Sequence, residues 1–381
     1  MRTWAEINLD AIRHNFNEVK SKTKSPVMAI IKADAYGHGV YEVAKVLLEE
    51  GACAFGVATC DEAIELRNMG FNIPILILGV IFPEEYHSII EKDVSFAVDS
   101  FENAVTASKK AEELGKDALV HIKLDTGMGR IGFLPNEKSL EEIEKVSKLK
   151  NIKIQGIFSH MSKADEENKT YANMQFEKFM HMCTALEQKG VSLPVKHIAN
   201  SASIATLPNT HLDMVRSGIV TYGLNPSDDV DERYINLKPA MTLKSRITHI
   251  KTVKEDSLIS YGGHFTAKAG TTIATVAIGY ADGFSRVLSG KAKVLVKGNL
   301  VPVVGNICMD QCMIDITGKE NINCGDEVII FGSDGNNTIK ADAVALLCGT
   351  INYEIVCSVA RRVPRVYIRD NNVVAVENRL T

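Results

Sequence analysis

A TIM-like (β/α)8 barrel followed by a mostly antiparallel β domain is the fold class this sequence predicts, and three observations carry it. Over the first 220 residues, eight short β-branched apolar runs alternate with segments of helical period. Those runs are continuously apolar, as strands buried on both faces of a parallel sheet must be. Beyond about residue 236 the long helical segments stop, and strand-like runs separated by Gly, Asn or Asp turns replace them. Eight strands joined by helices favour a closed barrel over an open doubly wound sheet.

Taken in order, Trp4-Ala5-Glu6-Ile7-Asn8-Leu9 alternates and predicts a strand outside the barrel. Residues 1–9 are expected to associate with the C-terminal domain, with Asp10 capping the helix that follows. Barrel strands are expected at 27–33, 54–59, 75–79, 95–99, 118–126, 152–160, 195–200 and 213–220. Helices are expected between them, at 41–50, 61–69, 101–114, 140–149 and 170–189. The Asp- and Ser-rich stretch 226–233 reads as the junction, giving a barrel domain at 1–233 and a β-rich domain at 234–381. Strands in the latter are expected at 241–254, 272–278, 293–297, 300–304 and 327–331.

The charge balance excludes some functions. With 43 basic against 47 acidic side chains the net charge is −4, so nothing attracts a nucleic-acid backbone or an anionic membrane. No apolar run approaches the ~18–20 residues of a membrane span. Glu6 stands where a secretion signal would carry its apolar core, so a cytoplasmic location is expected. The eight cysteines form no C-x-x-C pair and no zinc-ligand spacing, which fits reduced thiols and no metal.

Barrel enzymes carry their chemistry at the C-terminal ends of the strands, where the unusual polar residues of this sequence collect. The first strand runs into Lys32-Ala33-Asp34-Ala35-Tyr36-Gly37-His38-Gly39, and the fifth into Asp125-Thr126-Gly127-Met128-Gly129-Arg130 after His121 and Lys123. The sixth ends in Ser159-His160, the seventh in His197-Ile198-Ala199-Asn200-Ser201, and the eighth holds Arg216-Ser217-Gly218-Ile219. A partly desolvated lysine such as Lys32 is suited to lose its proton and form a Schiff base; the plainer reading is a snorkelling surface lysine. Free backbone N–H groups at Gly218 and Ile219, with the Ser201 hydroxyl beside them, would make a phosphate site. A lysine and a phosphate cradle in one barrel mouth suggest pyridoxal phosphate.

At these motifs the sequence resembles the alanine racemases, along nearly its whole length. The resemblance extends through Ser260-Tyr261-Gly262, Ile278-Gly279-Tyr280-Ala281-Asp282-Gly283, Gly305-Asn306-Ile307-Cys308-Met309-Asp310-Gln311 and Ile351-Asn352-Tyr353-Glu354. It implies that Lys32 holds pyridoxal 5'-phosphate as a Schiff base and is one of two catalytic bases. Tyr261, from the second domain of a partner subunit, would be the other, so a homodimer with shared sites is expected. It also implies that Arg216 meets the pyridine nitrogen and that His160 and Arg216 make Tyr261's surroundings positive. Tyr36, Ser201, Gly218, Ile219 and Tyr353 match the phosphate contacts. Arg130 and the backbone N–H of Met309 match the substrate-carboxylate contacts. Lys123 matches a lysine that is carbamylated in some members, and Tyr280 with Tyr353 matches a narrow entrance. The implied activity is interconversion of L- and D-alanine, with D-alanine supplied for peptidoglycan.

A racemase of another small amino acid, notably serine, is the nearest rival. Decarboxylases of basic amino acids share the architecture but fit Tyr261 and Cys308-Met309-Asp310 poorly. A non-catalytic pyridoxal phosphate-binding barrel would lack the second domain. His14, His87, His181, His211 and His249 fall outside every motif, Asp125 is expected to serve strand geometry, and Trp4 to pack.

Overall fold

The computed structural model describes residues 1–380, which divide into two compact units. One comprises residues 12–35 and 40–238; the other comprises residues 1–11, 36–39 and the chain from 239 on.

After β1 (Thr3–Asn8), which belongs to the second unit, the first unit contributes eight parallel strands. They are β2 (Val27–Ile30), β3 (Ala54–Val57), β4 (Ile75–Ile77), β5 (Ser95–Val98), β6 (Ala118–Lys123), β7 (Ile152–Phe158), β8 (Lys196–His197) and β9 (Val215–Ser217). β2 pairs with both β3 and β9. Backbone bonds from Asp213 N–H to Lys196 O (3.2 Å) and from Arg216 N–H to Ala199 O (3.1 Å) join the last two strands and close the ring. Every residue of β2, β3, β4 and β5 is buried, which is why these runs read as continuously apolar. Burying a side chain such as Phe55, Ile77 or Phe96 completely contributes about 1.5–3 kcal/mol.

Several of the helices between them start on side-chain caps. Thr59 accepts from Glu62 N–H while the Glu62 carboxylate accepts from Thr59 N–H, opening helix Cys60–Asn68. Ser100 and Asn136 cap Phe101–Leu114 and Glu137–Val146 with a single bond each, accepting from Asn103 N–H and Ser139 N–H, each worth about 1 kcal/mol. Asp10 does not cap the first helix. That helix, Leu9–Ser21, begins two residues earlier than expected, and Asn8 Oδ1 accepts from Ala11 N–H at 2.9 Å. Asp10 is already inside the first turn and instead accepts from Asp370 N–H.

The first barrel strand also stops sooner than the sequence suggests. It ends at Ile30, and Ala33, Asp34, Ala35 and Tyr36 take left-handed φ values of 51°, 55°, 51° and 52°. Side chains disfavour this conformation by about 1–2 kcal/mol per residue. The turn is held by Ala33 N–H on Glu62 Oε1 (2.7 Å), Ala35 N–H on Ile31 O (2.9 Å) and Val40 N–H on Asp34 Oδ1 (2.9 Å).

In the second unit β10 (Met241–Thr252) is the organiser. Its first half pairs with β1 on one side and Glu327–Ser333 on the other, and its second half pairs with Thr272–Val276. Cys312–Asp315, Asn299–Val304 and Lys293–Val296 link Thr272–Val276 to Glu327–Ser333, so six antiparallel strands close into a second, smaller barrel. β1 also runs parallel to Arg365–Arg369, which pairs with Asn372–Glu377. Among the described residues, no helix of either unit is long and apolar enough to cross a membrane.

Candidate active site

Lys32 lies two residues past the end of β2 and is half-buried, at the head of the left-handed turn. Inside the barrel the dominant group is Arg216, 3% exposed. Its Nη1 donates to His197 Nδ1 (3.0 Å) and His197 O (3.1 Å). Its Nη2 donates to Ser159 O (2.8 Å) and Ile198 O (3.1 Å), and lies 3.3 Å from His160 Nδ1. The Nε–H donates to no group among the described residues, so this buried guanidinium keeps one N–H for an acceptor. Burial and repulsion from Arg130 push Arg216 down to about 9, which leaves it cationic at neutral pH. Burial, then the Arg216 charge, hold His160 and His197 well below the imidazole range, so His160 is neutral and does not add the positive charge the resemblance implies for it. Because His197 is neutral and accepts at Nδ1, its proton is on Nε2, which donates to His121 Nδ1 at 3.0 Å. The His197 ring stacks on Phe158, with centroids 5.0 Å apart and planes 7° apart.

His121 and Lys123 are two residues apart on β6 and so share its inner face. Lys123 is 2% exposed; its Nζ donates to Leu124 O (2.6 Å) and sits 5.4 Å from the Phe158 ring centroid. Burial, reinforced by the Arg216 charge, brings its amine down to about 7. Asp125 does more than serve strand geometry. Oδ1 accepts from the N–H groups of Gly127 (3.0 Å), Met128 (2.8 Å) and Gly129 (3.0 Å), and Oδ2 from that of Arg130 (2.9 Å). Burial alone would raise its carboxyl; the four N–H groups outweigh that and hold it below the carboxylate range. Asp125 therefore shapes the loop that presents Arg130, a role signalled by an aspartate ahead of Gly127-Met128-Gly129.

At the end of β9 the Gly218 N–H is not free, as the sequence reading has it. It donates to Ser201 Oγ at 2.9 Å because helix Ser201–Thr206 brings that hydroxyl alongside. The hydroxyl accepts there and retains its own proton for an anion. Ile219 opens the turn Ile219–Tyr222.

The second unit carries the remaining candidates. Tyr36 and Tyr353 lie with ring centroids 6.2 Å apart. Between Tyr36 and His38, Gly37 has φ +79°, and a Cβ there would stand 2.3 Å from Val356 O. Tyr261 opens a tight turn and is 74% exposed. Its carbonyl accepts from Asn306 Nδ2 (2.7 Å), and the preceding Ser260, at φ +66°, donates to Asn306 O (2.6 Å). Cys308 Sγ lies 3.5 Å from Ser260 Oγ. The Met309 backbone is fixed by Tyr280 N–H on Cys308 O and Ala281 N–H on Met309 O, both 3.0 Å. Only glycine at 279 permits this, since a Cβ would lie 2.3 Å from Cys308 O. Asp282 receives Arg2 and Arg362, each at 2.7 Å, and Arg362 reaches Asp310 (2.7 Å). Sequence reasoning passed over this clamp. Met309 and Tyr280 are, like Tyr261, exposed.

The barrel residues fit pyridoxal phosphate. A lysine stands at a strand end, one guanidinium N–H awaits an acceptor of the pyridine-nitrogen kind, and a serine hydroxyl and a turn lie at the end of β9.

Residues 7–226 match the family model of the alanine racemase N-terminal domain, and residues 240–367 that of the alanine racemase C-terminal domain. The chain is 50% identical to the alanine racemase of Methanococcus maripaludis over 96% of this chain and 98% of that one. It is 46% identical to that of Clostridium tetani, over 98% and 97%. The solved alanine racemase of Clostridium difficile 630 superposes with a TM-score of 0.96 at 45% identity, covering 100% of this chain and 99% of that one. That of Bacillus anthracis, with bound L-Ala-P, superposes at 0.94 and 38% identity, covering 100% and 98%. The chain belongs to the alanine racemase family.

Proposed function

We propose that this isomerase interconverts L- and D-alanine with two bases, Lys32 and the Tyr261 of a partner subunit, on bound pyridoxal 5'-phosphate. The observation that carries the reading is Arg216, whose buried guanidinium engages both Nη groups and leaves Nε–H for the pyridine nitrogen. When bound, pyridoxal phosphate delocalises charge from the substrate's Cα and acidifies its C–H bond. Inversion requires a proton to leave one face and another to arrive on the opposite one. Lys32 Nζ serves the D-alanine proton and Tyr261 Oη the L-alanine proton. Arg216 holds its own proton at neutral pH, so it would offer a pyridine nitrogen a hydrogen bond and not a proton.

Ser201, Gly218 and Ile219 serve the phosphate, with Tyr36 and Tyr353 adding to it. Arg130 and the Met309 N–H take the substrate carboxylate, and Lys123, carbamylated, orients Arg130. His160 supports the polar surroundings of Tyr261, and Tyr280 with Tyr353 narrows the entrance to alanine. The barrel domain thus binds the cofactor while the C-terminal domain supplies a base in trans. The 74% exposure of Tyr261 within its own chain supports a homodimer. We place the protein in the cytoplasm, supplying D-alanine for peptidoglycan.

Two inactive variants test the shared site. Lys32→Ala and Tyr261→Phe chains, mixed and reassorted, form about half heterodimers. Each heterodimer has one site with both bases and one with neither, so about a quarter of wild-type activity should return. No recovery in a mixture that demonstrably exchanges subunits would overturn the in-trans assignment.

A further inference from the structure

The barrel has a second mouth. At the N-terminal ends of all eight strands, opposite the face that carries Lys32 and Ser201, lies a cavity of about 400 Å³. Its walls are largely apolar, among them Met28, Leu76, Ile154, Val195 and Met214. Four polar side chains also line it: Ser95, His121, Lys153 and Gln155. No acidic residue does. Ser95 Oγ donates to Gln155 Oε1 at 2.8 Å, which leaves the Gln155 NH2 as a donor. Lys153, exposed, makes no ion pair among the described residues. His121 is 6% exposed and neutral, since burial lowers it to about 3. With Nδ1 accepting from His197, its proton is on Nε2, which donates to nothing among the described residues. The polar groups left for a ligand are therefore donors, and the one charge is positive.

We propose that this cavity binds a small organic anion, an apolar body carrying one carboxylate, and that its occupancy is felt at Arg216. The path is short. His121 Nδ1 accepts from His197 Nε2–H (3.0 Å), and His197 Nδ1 accepts from Arg216 Nη1 (3.0 Å). An acceptor on His121 Nε2–H makes Nδ1 a better acceptor, which polarises His197 and tightens its hold on Arg216. Gly156 keeps the path in register, because a Cβ there would lie 2.7 Å from His121 Nδ1. The binding claim stands independently of the racemase reading; the coupling claim rests on Arg216 meeting the cofactor.

Octanoate is the probe, titrated calorimetrically into the holoenzyme. Saturable binding at one site per chain is expected, weakened at least fivefold by Lys153→Gln on the rim and abolished by Met214→Trp, which fills the cavity. Binding should also shift the visible absorbance of the bound cofactor. In His121→Gln the shift should vanish while affinity stays within about threefold. Absence of saturable binding up to ~10 mM octanoate overturns the site. Binding unchanged in both Lys153→Gln and Met214→Trp places the ligand elsewhere and overturns it too. Binding with no spectral response, or with the same response in His121→Gln, overturns the coupling.

Discussion

Lys123 lends itself to a quantitative test. An ordinary lysine, at a pKa of about 10.5, is neutral in roughly one molecule in 3,000 at pH 7. At about 7 the Lys123 amine is half neutral, a gain of about three decades in the form that can attack CO2. The cause is structural: 2% exposure, one hydrogen bond to Leu124 O, and the Arg216 charge close by. Unmodified, the group also costs stability. Its folded pKa lies below the unfolded value, so the folded chain binds fewer protons and loses stability as pH falls from about 10 toward 7. Conversion to a carbamate exchanges a suppressed cation for an anion that feels the Arg216 and Arg130 charges. We expect ¹³C-bicarbonate at pH 8 to place a label on Lys123, read by carbon NMR and by peptide mass. Stripping CO2 should lower kcat/KM severalfold, reversibly. Lys123→Met should abolish the label and the CO2 dependence together. An unlabelled Lys123 in an active enzyme with no CO2 dependence would refute the reasoning.

Other consequences follow from the same network. Arg216→Glu should reduce racemisation at least tenfold and produce measurable transamination of alanine, followed as pyruvate; intact racemisation without transaminase activity contradicts the assigned role. His121, His160 and His197 titrate below the unfolded imidazole value, so each folded histidine binds fewer protons than the unfolded one as pH drops below about 6.5. Each should cost up to about 1.4 kcal/mol per pH unit there. Urea unfolding at pH 7.5 and pH 5.5 measures it, and a flat profile across that window would count against neutral histidines.

Much of the fold was legible because burial on both faces leaves a continuous apolar run, and all eight barrel strands sit within such runs. Their ends were less legible. The run at 213–220 holds a strand of only Val215–Ser217, and that at 118–126 stops at Lys123, because apolar residues continue into the loops that build the site. Lys32, Arg216 and Ser201 were readable from position at a strand end. The connection from Arg216 through His197 to His121 was not, since period and spacing say nothing about which ring nitrogen meets which donor. Nor did Asp125 announce four N–H partners; an aspartate at a strand end looks alike whether it caps a loop or faces water.

The left-handed turn was the least legible feature, as Ala33, Ala35 and Tyr36 carry no preference for positive φ and Asp34 only a mild one. Tertiary contacts impose it, and Glu62 is central among them. One carboxylate accepts from Ala33 N–H (2.7 Å), Ala58 N–H (2.7 Å) and Thr59 N–H (3.2 Å), binding the turn after Lys32 to the start of the next helix. Glu62→Gln keeps the size but turns one oxygen into a donor facing N–H groups. The loss should be about 1–3 kcal/mol, concentrated on the turn because Thr59 still caps the helix through Glu62 N–H. Lys32 would then be misplaced more than the barrel is weakened. The expected result is a shift of at most a few degrees in Tm, with kcat reduced tenfold or more and slower reaction of Lys32 with added pyridoxal phosphate. If the Tm falls while Lys32 reacts and turns over as before, the strain at residues 33–36 serves the fold alone, and its position beside Lys32 has no part in placing the amine.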